Sequence, residues 1–241
     1  MNEKSSQTIH EKIQKLAMVF QPIWKITPNE APVIKTYELL LRYGEGVFFP
    51  IEVFNELTDN QASCDELNLW YEKKLTEYLE TYPESYFNLN IDMKQMRYQS
   101  TWDLLANLSH FKHRLCIELT EFYQVSTSET KRLFDETMVY IRKLGLDAAF
   151  DDVGNGIHSV SFVSKNIHHV NSIKISLLNL LHLDPETMGL VIDVWVRVAK
   201  VYGVSFIVEA VETKEMADLM TSRGIMYQQG FYWSKPLTSL C

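Results

Sequence analysis

Six short runs rich in β-branched and aromatic residues punctuate the chain: MVFQPIWKI, YFNLNI, LCIEL, LDAAF, VNSIKI and VSFIV. Between most of them the apolar period lengthens from two residues to between three and four, the period of a helix with one buried face. In DPETMGLVIDVWVRVAKVY, Asp184 is placed to cap a helix, Pro185 suits its first turn, and Glu186 favours the positive helix end. Met188, Ile192, Trp195, Ala199 and Tyr202 then fall on one face. In DELNLWYEKKLTEYL the same spacing picks out Leu67, Trp70, Lys74 and Tyr78, with the lysine stem able to cover apolar surface. Strands alternating with helices predict a largely parallel sheet covered on its outside.

The apolar runs end in polar residues. Glu38 lies in YELLLRY, Asn90 in NLNID, Glu118 in CIELTE, Asp151 and Asp152 in FDDVGNG, Lys174 in IKIS, and Glu209 and Glu212 in IVEAVE. Singly, each has an ordinary explanation: DDVGNG is a loop after a strand, Glu209 or Glu212 a surface charge, Lys174 an ion-pair partner. Together they constrain topology. An open eight-stranded sheet would spread its strand ends over about 34 Å, seven gaps of roughly 4.8 Å, whereas metal–oxygen bonds span about 2.1–2.5 Å. A closed barrel gathers strand ends above one mouth, so these residues form one site if the α/β sheet is a barrel.

The 241 residues suit an undivided barrel, and no Pro/Gly/Ser-rich linker splits them. One domain is therefore expected over residues 1–241, with a short polar N-terminal extension over 1–15. A hydrophobic content of 46% allows a substantial core. The net charge of −8 argues against broad binding to DNA or RNA duplexes or to an anionic membrane. It leaves room for a small anionic ligand, because metal ions invert the sign of an acidic pocket. No apolar run reaches the length of a membrane span, and the start MNEKSSQTIHEK lacks a signal-peptide core. Cys64, Cys116 and Cys241 are odd in number and widely spaced, which predicts free thiols and a cytoplasmic location. His110, His113 and Cys116 have a metal-like spacing but stand near a strand start, where a barrel carries stability, so structural roles are expected.

Carboxylates with one amide oxygen suit a hard cation, Mg²⁺ or Mn²⁺. Several acids cannot all stay ionised in one pocket without cations, and two divalent ions would supply the charge. One of two adjacent aspartates can bridge both ions while its neighbour binds one, an arrangement that favours in-line attack of a bridging water on phosphorus. Lys174 would offer a point charge to a developing oxyanion or orient the water. Arg42, four residues after Glu38, offers a fork for a nonbridging phosphate oxygen.

Eight landmarks stand in order: FQPI, YELLLRY, NLNID, ELTE, DDVGNG, IKIS, VEAVET and QGFYWSKPL. Through them the chain resembles a stand-alone EAL domain, the cyclic di-GMP phosphodiesterase family, from Phe20 to Leu237. The resemblance implies a modified TIM-like (β/α)₈ barrel with its first strand antiparallel, and hydrolysis of cyclic di-GMP to linear pGpG with two Mg²⁺ or Mn²⁺ ions per site. It implies Glu38, Asn90, Glu118 and Asp151 as metal ligands, with Asp152 at the second ion. Lys174 and Glu209 would position the catalytic water, and Glu121 would brace the loop after Asp152. Glu212 and Gln229 would complete the site, with Gln21 and Arg42 in contact with substrate. A homodimer is expected, with control by dimerisation, expression or a regulatory protein partner. Five positions depart from the family pattern. Leu39 replaces a small Ala, Val153 and Asn155 replace Phe and Thr of a DDFGTG loop, Ser176 replaces the Asp of KID, and Thr36 stands where Gly is common. None removes a metal ligand, so an active if attenuated enzyme is expected. The alternative is a degenerate EAL domain acting as a cyclic di-GMP receptor or a protein-interaction module.

Overall fold

In FNLNI and SIKIS polar residues alternate with apolar ones, and this alternation sets what the barrel wall faces on each side. The computed structural model describes residues 8–120, 128–155 and 158–240. Within them eight strands close into one barrel in sequence order. A long hairpin, β1 (Leu16–Lys25) and β2 (Val33–Tyr43), starts it. Then come β3 (Phe87–Ile91), β4 (Leu115–Leu119), β5 (Asp147–Phe150), β6 (Ser172–Ser176) and β7 (Ser205–Glu209). The two-residue β8 (Tyr227–Gln228) closes the ring. β1 runs antiparallel to both β2 and β8, and every other neighbouring pair is parallel. The fold is thus the modified α/β barrel expected, first strand antiparallel. β8 lies outside the six β-rich runs, being too short to carry a period.

In β3, Phe87, Leu89 and Ile91 alternate with Asn88 and Asn90; in β4, Leu115, Ile117 and Leu119 alternate with Cys116 and Glu118; in β6, Ile173 and Ile175 alternate with Ser172, Lys174 and Ser176. A direct contact between Glu38 on β2 and Lys174 on β6, strands on opposite sides of the ring, shows that the polar set faces inward. The apolar set therefore faces the helices, and the main core lies between barrel wall and helices.

The outer layer comprises α1 (Ile9–Ile13), α2 (Ile51–Leu57), α3 (Gln61–Thr81) and α4 (Gln99–Leu108) from the first half of the chain. The second half adds α5 (Ser128–Leu144), α6 (Val160–Asn166), α7 (Pro185–Tyr202) and α8 (Lys214–Ser222). α1 falls within the polar extension and buries Ile13 against the core. α7 forms as its sequence predicts: the Asp184 carboxylate accepts from the N–H groups of Glu186 and Thr187, each at 3.0 Å, and Met188, Ile192, Trp195 and Ala199 are buried. Tyr202, expected on that face, is exposed instead, because three residues beyond Ala199 the helix has turned about 60° short of a full circle. In α3 the buried row runs through Cys64, Leu67, Tyr71, Leu75 and Leu79, while Trp70, Lys74 and Tyr78 flank it half-buried. α3 packs on α1, α2 and α4 as well as on the barrel, so its buried face is wide and centred one residue later. Cys64 and Cys116 are free thiols, and no helix among the described residues is long and apolar enough to cross a membrane.

The end of the chain is pinned to its start. Phe20 and Leu237 exchange two backbone hydrogen bonds of 2.8 Å, Gln229 N donates to Val208 O at 2.9 Å, and Val211 N donates to Gln229 O at 3.0 Å. Gly230 follows with φ +154°, and a Cβ there would run into the Val211 backbone. Gly230→Ala should therefore cost about 1–3 kcal/mol through overpacking, lowering the melting temperature by roughly 2–12 °C. A thermal scan tests this; an unchanged midpoint would mean that the Val211 segment yields freely.

Candidate active site at the barrel mouth

Lys174 is 0% exposed, and an ammonium so deeply buried is sustained only by paired charge. Four carboxylates surround its Nζ: Glu209 Oε1 at 2.5 Å, Glu118 Oε2 at 2.8 Å, Glu38 Oε2 at 3.0 Å and Asp151 Oδ1 at 3.5 Å. They come from β7, β4, β2 and the residue following β5, which only a closed barrel brings together. Among the described residues no three His, Cys, Asp or Glu side chains are arranged around an open point ready to hold a metal ion; the ammonium stands between these acids.

Amide groups hold the carboxylates in place. Asn90 Nδ2 donates to Glu38 Oε1 at 2.7 Å and Gln229 Nε2 to Glu38 Oε2 at 2.8 Å. Asn88 Nδ2 donates to Glu118 Oε1 at 2.6 Å. Burial by itself would raise the Glu38 carboxyl, yet Lys174 and the two amides bring it below its ordinary value. At Glu118, burial outweighs Lys174 and, with the charges of Glu38 and Asp151 beside it, pushes the carboxyl up to about 8. Burial raises Asp151 as well, and Glu209 further. Lys174 is held well above its ordinary value, the acids overcoming its burial. One cation among four acids leaves the cluster short of positive charge.

The paired aspartates diverge. Asp151 faces the cluster, whereas Asp152, at φ +50°, accepts from Asn179 Nδ2 at 3.0 Å. Ala210, directly after Glu209, also has positive φ, +57°. Two strained residues, each following a cluster acid, suit a site where backbone strain aims side chains. The loop is pinned beneath: Val153 N donates to Lys174 O at 2.9 Å, Gly154 N to His158 O at 2.7 Å, and the buried His158 Nδ1 to Asp151 O at 2.6 Å.

Three buried oxygens here accept no hydrogen bond: Asn90 Oδ1, Asp151 Oδ1 and Gln229 Oε1. Buried acceptors without donors are costly, and hard oxygens of this kind are partners for Mg²⁺ or Mn²⁺. The donor set therefore fits a divalent cation. Above it opens a cleft of about 860 Å³, lined by Glu38, Asn90, Asp151 and Asp152 and rimmed by Arg42, Lys94 and Arg97.

Of the residues singled out in the sequence, Glu38, Asn90, Glu118, Asp151, Lys174, Glu209 and Gln229 meet in one cluster. Asp152 and Arg42 line the cleft, and Gln21 lies opposite Glu38 in the β1–β2 register. Glu212 is exposed on the segment beyond β7, apart from the cluster. Glu121 and Gly156 lie outside the described residues. Asn88, His158 and Asn179 escaped the sequence reading; for Asn88 the signal was present, since FNLNI places two asparagines on one strand face.

The EAL domain family model matches residues 3–236. Cyclic di-GMP phosphodiesterase PdeL of Escherichia coli K12 is 32% identical over 138 residues, 56% of this chain and 36% of PdeL. Cyclic di-GMP phosphodiesterase PdeA of Borreliella burgdorferi is 23% identical over 225 residues, 88% of this chain and 32% of PdeA. The chain thus spans about a third of the length of these curated relatives. Among solved structures, a manganese/cy-diGMP complex of Klebsiella pneumoniae BlrP1 superposes with a TM-score of 0.74 at 22% identity, covering 93% of this chain and 56% of that one. The PaMucR phosphodiesterase in complex with c-di-GMP gives 0.73 at 19% identity, covering 92% and 97%. These likenesses extend the shared barrel to solved proteins. The family match runs over nearly the whole length, and on it the chain belongs to the EAL domain family.

Proposed function

We propose that the chain hydrolyses cyclic di-GMP to linear pGpG, using two Mg²⁺ or Mn²⁺ ions. The observation that carries this reading is the trio of undonated oxygens, Asn90 Oδ1, Asp151 Oδ1 and Gln229 Oε1, among four carboxylates at the base of a cleft. The cleft, about 860 Å³, has the capacity for a ligand of dinucleotide size. Glu38, Asn90, Glu118, Asp151 and Asp152 would hold the ions, and the manganese complex of BlrP1 supports a divalent metal. When bound, the ions would lower the pKa of a water and neutralise charge on the phosphate.

The chain's own residues would do the rest. Arg42, on the cleft rim, would grip a nonbridging phosphate oxygen, and Gln21 beside Glu38 would help seat the substrate. Glu209 binds Lys174 through Oε1, which leaves Oε2 to accept a proton from the attacking water. Lys174 would balance the charge that develops at phosphorus. Incubating the purified protein with cyclic di-GMP and Mg²⁺ or Mn²⁺ should yield pGpG on chromatography. Tight binding without consumption would instead favour a receptor.

Asp151→Asn should lower turnover by about two orders of magnitude, with the melting temperature nearly unchanged, and Glu209→Gln should behave alike. Wild-type turnover in Asp151→Asn at saturating metal would sink the metal assignment.

Lys174→Met should behave differently, because it leaves four acids without their cation. In chelator the variant should lose about 3–5 kcal/mol of stability, and Mn²⁺ should restore part of it. Equal melting curves with and without Mn²⁺ would contradict a cation site beside Lys174.

Proton linkage gives a further check. Glu118 rises from an ordinary 4.5 to about 8 on folding, so the metal-free folded protein holds a proton that the unfolded chain releases. Its contribution to stability is present below pH 4.5 and is lost as pH rises to about 8. A cation needs the carboxylate ionised, so Mn²⁺ binding near pH 7 should expel protons and tighten as pH rises. Calorimetric titrations in two buffers of different ionisation enthalpy should give different heats; identical heats would refute the linkage.

A further inference from the structure

Beneath the acid cluster the lumen has a lower level that the proposed chemistry leaves unused. Asn88 points into it from β3, 5% exposed, and pairs in register with Cys116 rather than with Glu118. Its amide therefore reaches diagonally upward, and Nδ2 donates to Glu118 Oε1 at 2.6 Å. From below, the Thr36 hydroxyl lies 2.9 Å from Asn88 Oδ1 and 3.0 Å from Tyr86 O, its one proton shared between them. An amide has one accepting and one donating end. With a hydroxyl beneath Oδ1, the NH₂ group is turned toward Glu118. Oε1 of Glu118 is thereby occupied, and Oε2 is left facing Lys174 at 2.8 Å.

We propose that Asn88, oriented by Thr36, is a positioning residue that makes Glu118 present a single oxygen, Oε2, to a divalent cation. The inference rests on the metal-dependent reading above. Two observations carry it. Glu118 is 0% exposed, and among the described residues Asn88 is the donor that meets Oε1, so an apolar side chain in its place leaves that oxygen without this partner. A cavity of about 190 Å³ also opens at the opposite end of the barrel, lined by Thr36, Asn88, Cys116, Ser172 and Ser205. Asn88 is thus not wedged from below, and its hydrogen bonds fix its direction.

The test is Mn²⁺ binding by calorimetry on chelator-stripped wild type, Asn88→Leu, Thr36→Val and Thr36→Ser, without substrate. Asn88→Leu keeps the side-chain volume and should bind Mn²⁺ about 10–100-fold more weakly. Thr36→Val should weaken binding in the same direction by less, and Thr36→Ser, which keeps the hydroxyl, should stay within about twofold of wild type. Assayed with cyclic di-GMP, Asn88→Leu should need more Mn²⁺ for half-maximal rate but recover most of its turnover at saturation. Should Asn88→Leu fail to fold, the Thr36→Val and Thr36→Ser pair decides, since the hydroxyl is peripheral to the packing. Wild-type Mn²⁺ affinity in a folded Asn88→Leu, or in Thr36→Val, would overturn this inference alone. Absence of Mn²⁺ binding by the wild type would overturn the metal reading and this inference with it.

Discussion

An ammonium group enclosed by four carboxylates inside a barrel is an arrangement water would ordinarily dissolve, and the architecture serves to keep water out of it. Lys174 is sustained in burial by the carboxylates around it, and the four acids in turn by Lys174. The unequal count has a further effect. Glu38, with two amide donors and the ammonium, stays ionised, whereas Glu118, with fewer donors, keeps its proton to about pH 8. Two chemically identical buried side chains in one lumen thus differ in charge: at Glu38 the ammonium and two amides overcome burial, whereas at Glu118 burial prevails with the charges of Glu38 and Asp151 beside it.

The lumen's polarity is sustained by the layer outside it. Phe87, Leu89, Ile117, Leu119, Ile173 and Ile175 bury their side chains between barrel and helices, and Lys174, Glu118 and Asn88 lie on the opposite face of the same strands. Apolar burial on one face offsets desolvation on the other, strand by strand. Left-handed backbone at Asp152 and Ala210 adds a smaller local cost at the two points where a cluster acid leaves its strand.

The fold was legible because its signals are periodic. Runs such as FNLNI and SIKIS state both that a strand is present and which residues share a face, and α7 announces its start through Asp184 and Pro185. Legibility failed where period gave no guidance. β8 spans two residues, and the centre of the buried face of α3 depends on three neighbouring helices that local spacing does not encode. Within the site, charged residues at strand ends were conspicuous together, because so many apolar runs end in one, although each alone has an ordinary explanation. The supporting residues were not. Asn179 meets Asp152 across 27 positions, and His158 holds a backbone carbonyl rather than a side chain, so neither leaves a motif. Glu212 stands three residues beyond the end of β7, where strand alternation no longer gives a direction, and it is exposed.

The hydrogen bond between Glu38 and Gln229 joins residues 191 positions apart, near the two ends of the barrel. Closing so long a loop is entropically unfavourable until the intervening strands have already ordered. During synthesis Glu38 therefore lacks the Gln229 amide until the end of the barrel has emerged from the ribosome. β8 closes the ring, and Gln229, directly after it, supplies the amide that settles the carboxylate, so the cluster is completed together with the topology. A chain cut before Gln229, or a partly opened barrel, would leave the Glu38 carboxylate without this donor, which makes the pairing a reporter on the integrity of the whole ring.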